Sequence, residues 1–101
     1  MVGDMSREYI EKSSETALNG VFSFAKFVAE TEFLADMMCI EFQEQYHRAW
    51  FEMELVNSLA LADWEQDGSP REWDKIWNER YKEEAKETLG EFLEVVKKWP
   101  I

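Results

Sequence analysis

From Val21 to Gln66 the chain contains neither glycine nor proline. No part of this stretch alternates with period two, and no turn pair separates β-rich runs, so helix is the reading for the middle of the molecule. Unbroken, that helix would span roughly 65–70 Å at about 1.5 Å per residue. This is long for a chain of 101 residues. Either a break is hidden in it, with Asn57-Ser58 the candidate, or the helix pairs with another chain.

Placing residues at 100° per step sorts this segment into two apolar faces. Phe24, Val28, Ala35, Met38, Phe42, Tyr46, Ala49, Met53, Val56, Ala60 and Trp64 fall in one narrow sector, interrupted by Thr31. Nearly opposite lie Phe22, Ala29, Phe33, Met37, Ile40, Phe51, Leu55 and Ala62. A helix apolar on two faces is expected between two neighbours. An eleven-residue echo runs along it, at Glu30-Thr31-Glu32, Glu41-Phe42-Gln43, Glu52-Met53-Glu54 and Asp63-Trp64-Glu65. Eleven residues make three turns, so the repeat keeps its faces aligned. Acids then flank the main stripe on two rails, Glu30, Glu41, Glu52 and Asp63 on one side and Glu32, Asp36, Glu54 and Glu65 on the other. Ordinary amphipathicity in an acid-rich chain produces a similar pattern.

Breakers mark the ends of this segment. Asn19-Gly20 is a helix-ending signal, which separates a first helix, from Asp4 or Ser6 to Leu18, from the middle one. Ile10, Ser13, Ala17 and Val21 share or border the main sector. After Asp67-Gly68, residues Ser69, Pro70 and Glu72 read as an N-cap, a first-turn proline and a capping-box acid. Trp77, Tyr81, Ala85, Thr88, Phe92, Val96 and Trp99 recur at three- and four-residue steps, with Lys97, Lys98 and Pro100 as the stop. The expected fold is therefore a single all-α domain over 1–101. It is a small bundle of about three helices around a long central helix, about 21–66, with a capped C-terminal helix over 70–98.

Charge separates the function classes. There are 22 acids against 11 bases, a formal net charge of -11, which repels nucleic acid and anionic membrane and attracts basic surfaces. Residues 30–67 hold ten acids against the one base Arg48, whereas the charges of the C-terminal helix nearly cancel. Disordered acidic tracts are poor in aromatics, but here aromatics make up 15% of the chain and include five Trp. No apolar run is long enough to span a membrane, and residues 1–7 lack the pattern of a signal peptide. The expected compartment is the cytoplasm.

Catalytic signals are weak. Cys39 is the sole cysteine, which excludes an internal disulfide or a Cys metal cluster. Within a helix it reads as a buried thiol, and His47 lies about 12 Å along the same helix, too far to act as its base. Glu44-x-x-His47 resembles half of a di-iron carboxylate motif, which a single chain would need a second copy to complete. A hydrogen-bonded structural histidine is the plainer reading. Glu8-x-x-Glu11 could form part of a Mg²⁺ site, but nothing nearby would hold a base or phosphate. No glycine-rich phosphate loop is present, and no cofactor is implied.

What remains is a surface. Glu30, Glu32, Asp36, Glu41, Glu52, Glu54, Asp63 and Glu65, with Trp50 and Trp64 as aromatic anchors, form the expected partner-binding set. The expected partner is a basic protein surface, such as that of a nucleic-acid-binding protein. In size, charge and helicity, with no motif behind the likeness, the chain resembles the small acidic proteins that phages use against host nucleases or transcription, including anti-CRISPR and DNA-mimic inhibitors. That resemblance implies a non-enzymatic inhibitor and transfers no residue roles. A homodimer along the long helix, a carboxylate–histidine metal protein assembled across it, and a structural subunit of a larger assembly stand as alternatives.

Overall fold

The main stripe is continuous in sequence but doubled back in space. The computed structural model describes residues 2–32, 34 and 40–98, and the side chains of 8–32, 34 and 41–98. Among them are five helices and no strand: α1 (Val2–Ser14), α2 (Val21–Glu32), α3 (Ile40–Gln66), α4 (Asp74–Arg80) and α5 (Lys82–Lys97). The all-α bundle is as expected, but the single rod over 21–66 is two helices, α2 and α3. The molecule is only 42 Å along its longest axis, too short for the rod yet matched to the roughly 40 Å of a helix of this length.

The hidden break falls between Glu32 and Ile40, and the chain runs through Asn57-Ser58 without interruption. The residues between the two helices include no glycine or proline. Folding back sets the stripe of α2 against that of α3, so Phe24, Val28, Phe42, Tyr46, Met53, Val56 and Ala60 are all buried. The two helices run antiparallel. The Trp50 indole donates to the Val28 carbonyl at 2.8 Å, and the Tyr46 hydroxyl donates to that of Thr31. The Tyr46 bond supplies a donor to the last turn of α2, where helix carbonyls lack intrahelical partners, whereas the Trp50 bond is a second donor to a carbonyl one turn earlier that is within the helix ladder. Thr31, which interrupts the stripe, is buried without cost in unmet hydrogen bonds because its hydroxyl donates to the Phe27 carbonyl at 2.8 Å. Ala35 and Met38 of this stripe, and Phe33 and Met37 of the other, lie outside the described residues.

α5 completes the core. Its buried face is Ala85, Leu89, Phe92 and Val96, and Phe92 meets Phe27 at 5.9 Å and Tyr46 at 5.0 Å between ring centroids. α1 contacts both α2 and α5, contributing Ile10 to the core. It ends at Ser14 rather than Leu18. Ser14 and Thr16 donate to the carbonyls of Glu11 and Ser13, and such side-chain bonds compete with the helix ladder. Among the described residues, one buried side-chain atom is an exception: Asn57 Oδ1 on α3 has no hydrogen-bond partner.

The C-terminal helix starts later than its sequence suggests. Gly68, at φ 92°, and Ser69, at φ 54°, are left-handed. Gly68 N–H donates to the Glu65 carbonyl and Ser69 N–H to that of Trp64, which is the Schellman closure of α3. Ser69 therefore terminates one helix and cannot cap the next. The predicted 70–98 helix becomes α4 and α5, with Trp73 at the α4 N-cap and no side-chain cap there. Tyr81 separates the two as a kink, since backbone bonds still reach from it to Trp77 and from Ala85 to it.

Indole N–H groups fasten the irregular segments. Trp64 donates to the Pro70 carbonyl at 2.9 Å, Trp73 to the Asp67 carboxylate at 2.8 Å and Trp77 to the Leu18 carbonyl at 3.0 Å. With Trp50, four of the five Trp hold backbone or a loop within the fold. Trp99 lies outside the described residues.

Candidate partner-binding surface

The fold-back redistributes the acids. Glu30 and Glu32 are on α2, and Glu41, Glu52, Glu54, Asp63 and Glu65 are on α3. Asp36 lies outside the described residues. The first echo of the eleven-residue repeat is thus turned back on a different helix from the other three, and the two rails do not run the length of one rod.

Several of these acids have partners inside the chain. Glu30 accepts a hydrogen bond from the Tyr9 hydroxyl and lies 4.0 Å from Lys26. Glu54 accepts from Ser58 at 2.8 Å. Asp63 accepts from Tyr81 and from Arg80, both at 2.9 Å. These two donors hold the Asp63 carboxyl below its ordinary range. Burial, with the carboxylate beside it, pushes the Tyr81 phenol up. This cluster fastens the end of α3 to the α4–α5 kink, so Asp63 has a structural task. The expected anchors are likewise turned inward. Trp50 and Trp64 are half-buried with their N–H groups engaged, and Trp64 meets Phe22 edge-on at 4.8 Å.

The second apolar stripe is not sandwiched. Phe51 and Leu55 are exposed, as is Leu59 beside them, because α2 and α5 both pack on the main stripe and leave the opposite face of α3 uncovered. Leu55 and Leu59 slope into a groove between α3 and α5, with Val56 and Thr88 in its floor. Its rims are acidic, Glu52 on α3 and Glu84, Glu87 and Glu91 on α5. Beyond Glu52 and Glu91 the groove continues past Ala49 and Val95 to Gln45 and Arg48. Arg48 is paired with Glu44 at 3.6 Å.

The contribution of α5 is not in the sequence-predicted set, since its charges nearly cancel along the chain. Around the helix they do not. Taking Lys82 as origin, Glu84, Glu87 and Glu91 fall near 140–200° and Lys82, Lys86 and Lys97 near 0–60°. The three- and four-residue spacing of those glutamates was the signal available. Among the described residues, no ion pair or hydrogen bond engages Glu41, Glu52, Glu84, Glu87 or Glu91, whereas Lys97 is paired with Glu94 at 3.6 Å.

Glu44 and His47 are both exposed on α3, His47 with its ring edge-on to Tyr46 at 6.3 Å. Among the described residues, no three His, Cys, Asp or Glu side chains converge to hold a metal ion. Glu8 is exposed on α1, and Cys39 lies outside the described residues. No described helix is long and apolar enough to cross a membrane. No protein-family model, curated protein or solved structure matches this chain.

Proposed function

We propose that this chain is a non-enzymatic binding protein that docks on a basic protein surface, in the manner of an acidic inhibitor or nucleic-acid mimic of the phage anti-defence type. The observation that carries this reading is the set of unpartnered carboxylates on adjacent helices, Glu41 and Glu52 on α3 with Glu84, Glu87 and Glu91 on α5. A surface carrying charge of one sign attracts a cationic partner, whose charge offsets it on binding. A solvated face that aids solubility needs charge of one sign, but it does not need an exposed apolar stripe beside that charge.

The reading is tested by immobilising the protein at about 0.15 M salt, where the Debye length is near 8 Å. It is expected to retain a basic nucleic-acid-binding protein and to release it when duplex DNA is added as competitor. Reversing Glu41, Glu52 and Glu54 to Lys together is expected to abolish retention while circular dichroism keeps its helical signal. Retention that survives the triple reversal overturns the electrostatic docking.

A further inference from the structure

Among the described residues, the large apolar side chains left exposed are Tyr9, Phe22, Phe51, Leu55 and Leu59. Three of these five form one stripe on α3 at four-residue steps, and their relative exposures are 53%, 45% and 60%. Scattered apolar residues on a surface are ordinary, whereas a contiguous apolar strip rimmed by charge marks an interaction site. Here the strip runs beside the acidic groove, with Leu55 and Leu59 belonging to both.

We infer that the α3/α5 groove receives a basic amphipathic helix of the partner, with apolar residues seated on Leu55 and Leu59 and Lys or Arg set against Glu52, Glu84, Glu87 and Glu91. The inference rests on the docking reading above and specifies its surface.

Charge complementarity selects the occupant. Four carboxylates without a partner rim the apolar floor, so a neutral apolar helix would dry the rims without compensating them. A cationic one supplies hydrogen-bond donors at the same depth. A second copy of this chain seated groove to groove would set these glutamates against their own images, with a net charge of -11 on each copy. Backbone chemistry selects the conformation. Both walls are helices, whose N–H and C=O groups are already paired along their length. An extended peptide draws its affinity from main-chain bonds to a free edge and would find none here. A helix satisfies its own backbone and presents side chains at three- and four-residue steps, the spacing of the groove itself. The groove extends from Gln45 to Leu59 along α3, which is about 21 Å, so the occupant has about four turns.

The test uses two synthetic peptides of identical Leu and Lys composition, each about four turns long. One is arranged as an amphipathic helix and the other is scrambled. Calorimetric titration at about 0.15 M salt is expected to show the amphipathic peptide binding at least about tenfold tighter than the scrambled one. The double variant L55S/L59S is expected to erase that difference while leaving the weak binding of the scrambled peptide unchanged. The charge variant E84Q/E87Q/E91Q keeps the apolar floor and is expected to weaken both peptides. Equal affinity for the two peptides, or indifference to L55S/L59S, overturns the groove while the electrostatic docking stands. Failure of both peptides to bind the unaltered protein overturns the two together. A dimer in sedimentation that dissociates in L55S/L59S reassigns the groove to a second copy and also overturns the inference.

Discussion

The two apolar faces of α3 look alike in sequence and have different fates. One carries Phe42, Tyr46, Met53, Val56 and Ala60, all buried against α2 and α5. The other carries Phe51, Leu55 and the neighbouring Leu59, all exposed. Hydrophobic periodicity identifies a face that avoids water but does not say whether the covering element lies in the same chain. The difference here follows from the number of helices available. Once α2 has folded back and α5 has packed, both lie on the same side of α3, and nothing in the described chain is left to cover the other.

The comparison breaks most visibly at Met53. Its side chain is fully buried, and Met53→Ala is expected to cost about 2–5 kcal/mol in urea unfolding, through lost burial and the cavity left behind. An effect below about 0.5 kcal/mol, the range of ordinary surface changes, would mean that the two faces are energetically alike.

A smaller effect is expected at Tyr46. Tyr46→Phe removes the hydrogen bond to the Thr31 carbonyl and is expected to cost about 1–2 kcal/mol, since the buried acceptor loses its donor. The variant also sharpens the comparison through pH. Burial pushes the Tyr46 phenol well above its ordinary value of 10.0. Its contribution to stability is therefore full below pH 10 and is lost as pH rises from there toward the folded-state value. Stability measured against alkaline pH is expected to fall less steeply in Tyr46→Phe than in the unaltered protein. An unchanged slope would mean that the phenol is not held neutral by the core.

The smallest effect is expected on the open face. L55S/L59S is expected to shift unfolding by no more than about 1 kcal/mol, about 0.5 for each substitution, in contrast with its expected effect on peptide binding. A loss comparable to that at Met53 would make the second stripe a part of the fold.

Much of this architecture was legible before the structure. The core stripe is the one drawn at 100° per residue, the C-terminal stripe of Trp77, Ala85, Phe92 and Val96 is buried as read, and Gly68 ends α3. The misreadings share a cause. The end of α2 at Glu32 and the start of α3 at Ile40 leave no local mark, because a donor to the last turn of α2 comes from Tyr46, far along the chain. Ser69-Pro70-x-Glu72 has the composition of a helix start, but Gly68 takes the C′ position and forces Ser69 into the closure of the preceding helix. The candidate surface was half legible. Glu52 belongs to the expected set and lines the groove, while the charge of Glu84, Glu87 and Glu91 nearly cancels along α5 and emerges only around it. Composition does not separate Trp50 and Trp64 as surface anchors from Trp50 and Trp64 as fastenings of the fold, because a Trp-rich surface and a Trp-fastened fold have the same composition.

One of those fastenings bears on how the molecule comes into being. The bond from the Trp77 indole to the Leu18 carbonyl joins residues 59 apart in the chain. Phe92, near the other end, is the ring on which Phe27 and Tyr46 converge. A chain synthesised from its N-terminus therefore exposes α1, α2 and most of α3 before the residues that close their junction and core exist. The contacts that close the junction and the core are available only after most of the chain has been made. Like charge among residues 30–67 opposes adhesion between such incomplete chains, whose apolar stripes have nothing yet to cover them.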